Sequence, residues 1–274
     1  MTDQAWKAVL GNIRGVPLNV FTGVSSDQSG RIFATGRNDG SGTRAVYLIE
    51  TGVGVSRLVT QVKIGVAAKN GINALTPGFT GDNINILQVW PPTDADDANN
   101  NSNLWNITPT NGNGGYFSSG NVSTLLQKDT SAVRIHGPTG AELSGGGTYV
   151  STSGTGPRAF SVIASIGTND VVNVIAGGGD VLAYNGVKIT PVTTGVDPTG
   201  LVPADRYKVT NGTYTLWSYE RLFNRGTLTT NQDTVVYGTG GIVPSIPGAL
   251  ANSGIAITAM TASRNNDGET VLVP

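Results

Sequence analysis

Gly36-Arg37-Asn38-Asp39-Gly40-Ser41-Gly42-Thr43-Arg44 lies between a short apolar segment with strand character, Arg31-Ile32-Phe33-Ala34, and a helix-like one, Arg44-Ala45-Val46-Tyr47-Leu48-Ile49-Glu50. A glycine-punctuated turn entering a helix leaves several backbone N–H groups without partners and aims them at one point, which suits an anion. Ser41 and Thr43 add hydroxyl donors, Arg37 adds a fixed positive fork, and Asp39 adds an acceptor. An acceptor among donors fits an anion that carries its own proton; hydrogen phosphate has one to give and sulfate has none. The same residues also suit a plain strand–turn–helix junction, with Ser41 or Thr43 as the N-cap and nothing bound.

This run resembles the phosphate-cradling loop of the periplasmic phosphate-binding proteins, the substrate-binding components of phosphate ABC transporters. Arg37, Asp39, Gly40, Ser41, Gly42 and Thr43 match that family's Arg-x-Asp-Gly-Ser-Gly-Thr run in order. The resemblance implies that Arg37 pairs with the oxyanion, that Asp39 accepts its proton, and that Ser41, Gly42 and Thr43 donate from side chain or backbone. Looser patterns spread the resemblance over most of residues 1–223. Thr2 to Leu10 reads as a capped helix, with Trp6, Val9, Leu10 and Ile13 on one face. Gly115-Tyr116-Phe117-Ser118-Ser119-Gly120 is similar to the family's glycine–serine turn opening a further helix, and Tyr184-Asn185-Gly186-Val187 to its Tyr-Asn-Gly-Val turn. Val209 to Glu220 is similar to the strand that returns across the hinge.

In that family two lobes close on the phosphate, and the first lobe begins ahead of all these segments. The resemblance therefore implies an α/β fold, a lobe of the type 2 periplasmic-binding-protein kind with a mixed sheet and flanking helices. Residues 1–210 would be the anion-loop lobe and residues 211–274 the hinge return with a remnant of an incomplete first lobe. On this reading the chain is a piece of a longer precursor, or the lobe has been put to another use.

Composition agrees with a periplasmic or extracellular setting. Glycine supplies 39 of 274 residues, twice the usual ~7%, and charged residues only 13%. Such a turn-rich, nearly neutral surface suits secreted β-rich and surface-assembled proteins. The net charge of −1 gives no electrostatic reason to expect nucleic acid or anionic membrane as a partner. The absence of cysteine excludes disulfides and thiolate metal sites. No apolar run is long enough to span a membrane, and no signal peptide opens the chain, so the signal of an exported protein would lie upstream of Met1 or have been removed.

Periodicity predicts helices near 3–13, 43–51, 56–70, 119–127 and 217–224; residues 56–70, with Leu58, Val59, Val62, Ile64 and Val66, equally suit a strand. Strands are predicted near 84–90, 132–136, 160–166, 171–176, 181–184, 206–210, 213–217, 234–237, 255–260 and 270–273. Asp94, Asp96, Asp97 and the asparagines that follow read as a solvated loop; they lack the glycine and distal glutamate of an EF-hand. Residues 137–157 read as a hairpin or a linker. His136, the single histidine, is a poor basis for a metal site or a Ser–His relay, and Glu220 has no second carboxylate beside it.

No catalytic residue, metal site or cofactor is expected. Two function classes remain. One is a solute-binding protein that captures phosphate or a related oxyanion and passes it to an ABC permease. The other is an extracellular self-assembling protein built on the same lobe, in which strand edges of residues 211–274 pair with the missing N-terminal lobe or with another copy.

Overall fold

A computed structural model of the protein describes residues 1–66, 73–74, 86–90, 112–127, 133–138, 148–149, 160–191, 203–218, 226–245, 255 and 257–272. The polar loop around Asp94 to Asn103, Glu220, and most of 137–157 and 217–224 lie outside those residues. The chain forms two compact units, Met1–Asp180 and Val181–Pro274; the expected boundary at 210/211 falls within the second.

The architecture is mixed α/β. The first unit runs α1 (Asp3–Leu10), β1 (Val16–Pro17), α2 (Asn19–Thr22), a 3-10 turn (Ser25–Ser29), β2 (Arg31–Ala34), α3 (Gly42–Glu50), β3 (Val62–Val66), β4 (Asn73–Ala74) and β5 (Ile86–Val89). It continues through α4 (Ser119–Leu126), β6 (Val133–His136), β7 (Thr148–Tyr149), β8 (Phe160–Ile163) and α5 (Thr168–Ala176). Among the described residues these strands make two small mixed sheets, ordered β1-β2-β8 and β4-β3-β5-β6-β7.

β2 is the central strand of the first sheet. Ile32, Phe33 and Ala34 are all buried, the near-continuous apolar run of a strand covered on both faces. It pairs antiparallel with β1 and parallel with β8, Arg31 to Ala34 opposite Phe160 to Ile163. In the second sheet β5 pairs antiparallel with β3 and parallel with β6. Phe33, Val62, Leu87, Trp90, Tyr116, Val122, Leu125, Ile135 and Phe160 form one core cluster contributed by both sheets and α4. At its centre Trp90 and Tyr116 meet edge to face, 4.7 Å between centroids. α1 closes another face by placing Trp6 against Tyr47 of α3; its N-cap is Thr2, whose side chain accepts from the Ala5 N–H.

Several predicted elements take another form. Within 56–70 the regular element is the strand β3, as its alternating β-branched residues allow. Residues 171–176 are helical in α5: Val171, Val174 and Ile175 share one helical stripe, Val174 is buried, and Asp170 complements the dipole in the first turn.

The second unit departs most. Residues 206–210 belong to α6 (Pro203–Thr210), with proline at its first position and Asp205 in the first turn. Residues 234–237 end α7 (Thr230–Tyr237), which starts with a capping box between Thr229 and Gln232. Residues 257–259 form a 3-10 turn, and Leu272 makes only an isolated bridge to Ser263. No strand forms at 181–184 or 213–217; Tyr184 and Val187 exchange two backbone hydrogen bonds across an Asn185-Gly186 turn with positive φ at both positions. The strand edges expected at 234–237 and 255–260 are therefore absent from the described residues.

The second unit's core gathers Ile189 and Val209 with Tyr214, Trp217, Ile255 and Met260. Burial pushes the Tyr214 phenol up to about 12. The Arg264 guanidinium stacks 3.9 Å from the Trp217 ring centroid. Asp205 ties α6 to the preceding segment by accepting from the Thr190 N–H and from Lys208. Burial pushes its carboxyl up, but the Lys208 and Thr190 hydrogen bonds outweigh burial and hold it below the usual carboxylate range. A depressed folded pKa contributes stability that is fully present above the unfolded value of ~3.9 and is lost as pH falls through the folded value. The stability gap between wild type and Asp205→Asn should therefore be constant near neutrality and shrink under acid; denaturant titrations across pH check this, and a gap that widens on acidification would refute it.

Candidate anion site

Beyond Ala34 the chain leaves β8 and joins a different neighbour. The Thr35 N–H still donates to Ile163 O at 2.9 Å, while the Thr35 hydroxyl donates to Val62 O at 2.7 Å. From Gly36 onward the partner is the 112–116 segment: Tyr116 N–H donates to Gly36 O at 2.8 Å, and Asn38 N–H to Tyr116 O at 3.0 Å. Arg37 and Tyr116 thus form a parallel bridge. The caps of α3 and α4, Ser41 and Ser118, both lie within four residues of that bridge.

Each helix is capped by its own serine. Ser41 Oγ accepts from the Arg44 N–H at 3.3 Å, and Ser118 Oγ accepts from the Asn121 N–H at 3.1 Å. Asn38 to Ser41 closes as a turn, with the Ser41 N–H on Asn38 O at 3.2 Å. Ser41 therefore serves as the N-cap, with its backbone N–H and side-chain acceptor both engaged. Gly42 and Thr43 supply the first N–H groups of α3, which have no acceptor within the helix. Gly40 and Gly42 are exposed and Thr43 is half-buried, whereas Asp39 is buried.

The Arg37 side chain turns toward α4. Its Nη1 donates to Ser119 Oγ at 2.9 Å, and its buried Nε has no hydrogen-bond acceptor among the described residues. Burial pulls the guanidinium below its ordinary pKa, and the Asp170 carboxylate in the first turn of α5 opposes that pull. An arginine stays charged under such a shift. Of the six residues expected to bind, Arg37 is the one whose side chain meets the first turn of α4, with the Asp170 carboxylate of α5 acting on its charge. Ser119 and Asp170 were not read from the sequence. The serine–glycine turn at 118–120 was visible as a helix start, but its meeting with Arg37 joins positions 82 apart in the chain.

A buried polar node supports the loop from beneath. Arg44 Nη1 donates to Asn113 O and Nη2 to Asn113 Oδ1, both at 2.6 Å, and Nη1 also reaches Arg37 O at 3.3 Å. Gln61 Nε2 donates to Gly114 O at 2.7 Å and to Arg37 O at 3.1 Å. The Arg37 backbone carbonyl is thus held by two buried side chains. Among the described residues no group of three or more His, Cys, Asp or Glu side chains is placed to hold a metal. Among them too, no helix is long and apolar enough to cross a membrane.

No family model, curated protein or solved structure matches this chain.

The node leaves no room at two glycines. A methyl at Gly114 would lie 1.8 Å from Trp90 Cδ1, and one at Gly115 would lie 2.1 Å from Arg37 O. Gly114→Ala should cost about 3 kcal/mol, read by denaturant unfolding followed through tryptophan fluorescence. Gly42→Ala, whose methyl meets nothing within 4 Å, is the control and should be near neutral. Equal stability of the two variants would refute this account of the node.

Proposed function

We propose that this chain binds phosphate or a related oxyanion outside the cytoplasm, as a type 2 periplasmic-binding-protein-like lobe of the phosphate-binding kind, with an ABC permease as the natural recipient. The observation that carries the reading is Arg37: a positive fork docked on the first turn of α4, its buried Nε without an acceptor among the described residues, four residues before the cap of α3. A guanidinium beside helix N-termini is a favourable place for an oxyanion. Asp39 is the residue that would accept a proton from it. Binding without chemistry is the activity proposed.

Calorimetry with phosphate tests this. One guanidinium and a few helix-terminus donors should give a dissociation constant roughly in the millimolar to high-micromolar range. Arg37→Ala should abolish the heat. Asp39→Asn should narrow the preference for phosphate over sulfate, because an amide donates to either anion. No heat from the unmodified protein at millimolar phosphate would end the proposal.

A second reading, a self-assembling extracellular protein built on the same lobe without a transport role, has its own support in the second unit. α7 has no buried residue, and Val235 and Tyr237 on it are 60% and 51% exposed. A helix exposed all round gains little from packing. Low charge offers little repulsion against association. Light scattering over a range of concentrations should then give a mass above that of one chain, and a constant monomer mass would remove this reading.

A further inference from the structure

α5 delivers a carboxylate to the same place that attracts the anion. Asp170 lies in the first turn of α5, its N–H donating to Gly167 O at 3.0 Å. Its backbone carbonyl accepts from the Ser123 hydroxyl of α4 at 2.9 Å, which locks the two helices side by side at this level. The position of its carboxylate is marked by two glycines. A methyl on Gly120 would sit 3.9 Å from Asp170 Oδ1, and a methyl on Gly167 would sit 3.9 Å from Oδ2. The same Gly120 methyl would lie 3.8 Å from Ser118 Oγ, the cap of α4. One carboxylate oxygen is thus at the α4 start, one residue beyond the Ser119 that receives Arg37, and the other is at the α5 start.

Resting on the reading of Arg37 as an oxyanion ligand, we propose that Asp170 is a second specificity-determining carboxylate of this site, beside Asp39. It is a resident negative charge that competes with the incoming oxyanion for Arg37 and for the helix N-termini. The physical consequence depends on the charge of the ligand. Repulsion from a fixed carboxylate scales with ligand charge, so a dianion pays about twice what a monoanion pays at the same position. Asp170 therefore shifts the preference of the site toward singly charged, proton-bearing oxyanions, relative to the same site without it, and does so independently of any hydrogen bond to Asp39. Arg37 is held by the Ser119 hydroxyl, and the Asp170 carboxylate favours its charged form.

The experiment is calorimetric titration of wild type, Asp170→Asn, Asp170→Ser and Asp170→Glu with inorganic phosphate and with sulfate, just below the second ionisation of phosphate. Two neutral variants are used because either could disturb the first turn of α5, and circular dichroism checks that each is folded. Removing the charge should tighten phosphate about threefold and sulfate about tenfold, the second factor being close to the square of the first. Asp170→Glu keeps the charge and should restore the wild-type preference. Added salt should shrink the differences among variants. If wild type binds phosphate and the neutral variants match it for both anions, the Asp170 assignment falls while the anion site stands. Weaker binding in the neutral variants would make Asp170 a ligand rather than a competitor and also overturn the assignment. If neither wild type nor any variant binds either anion, the site itself falls and this inference with it.

Discussion

The buried guanidinium of Arg44 is the constraint on which the first unit depends. It is 2% exposed and ends in the carbonyl and side-chain oxygens of Asn113, with the carbonyl of Arg37 as a third acceptor. A charge so placed is tolerable only when every nearby acceptor is aimed at it. That requirement fixes the spacing between the loop after β2 and the segment before α4. Gln61, fully buried, repeats the arrangement from the other side by donating to Arg37 O and Gly114 O. Two side chains from outside the loop thus hold a carbonyl within it; Gly115 lets the two backbones approach that closely, and Gly114 leaves room for the Trp90 ring.

This node makes an ordinary strand–turn–helix junction into a place where charge is controlled. With its carbonyl pinned from below, Arg37 sends its side chain the other way, to Ser119 on α4. α4 is in turn fastened to α5 through Ser123 and Asp170. The starts of α4 and α5 then share one neighbourhood with the Asp170 carboxylate, and Arg37 reaches the first of them through Ser119.

The sequence was most legible where local signals and burial agreed. The Thr2 cap of α1, the Ser41 cap of α3 and the start of α4 at residue 119 all follow from short motifs. β2, β5, β6 and β8 follow from apolar runs bounded by polar or glycine-rich turns. The strands expected at 171–176, 206–210 and 234–237, which are helical, share a cause. Val171-Val172, Val235-Val236 and Val209 were weighed as strand formers because their side chains branch at Cβ, a preference that tertiary packing readily overrides. In each case a helix-start signal was present and carried more information: Asp170 in the first turn of α5, Pro203 opening α6, and the Thr229/Gln232 box opening α7.

By itself the sequence determined the local frame of the candidate site: a glycine-broken turn, a serine cap, and an arginine and an aspartate at set distances before it. These are properties of neighbouring residues and survive in any fold that places a strand before a helix. What only the tertiary structure decided is where the Arg37 side chain points and what shares its surroundings. Ser119 and Asp170 reach it from positions far along the chain, brought there by the parallel bridge at Tyr116 and the pairing of α4 with α5. Their meeting is set by packing and by the buried polar node, interactions among distant residues that leave no periodic mark in the chain.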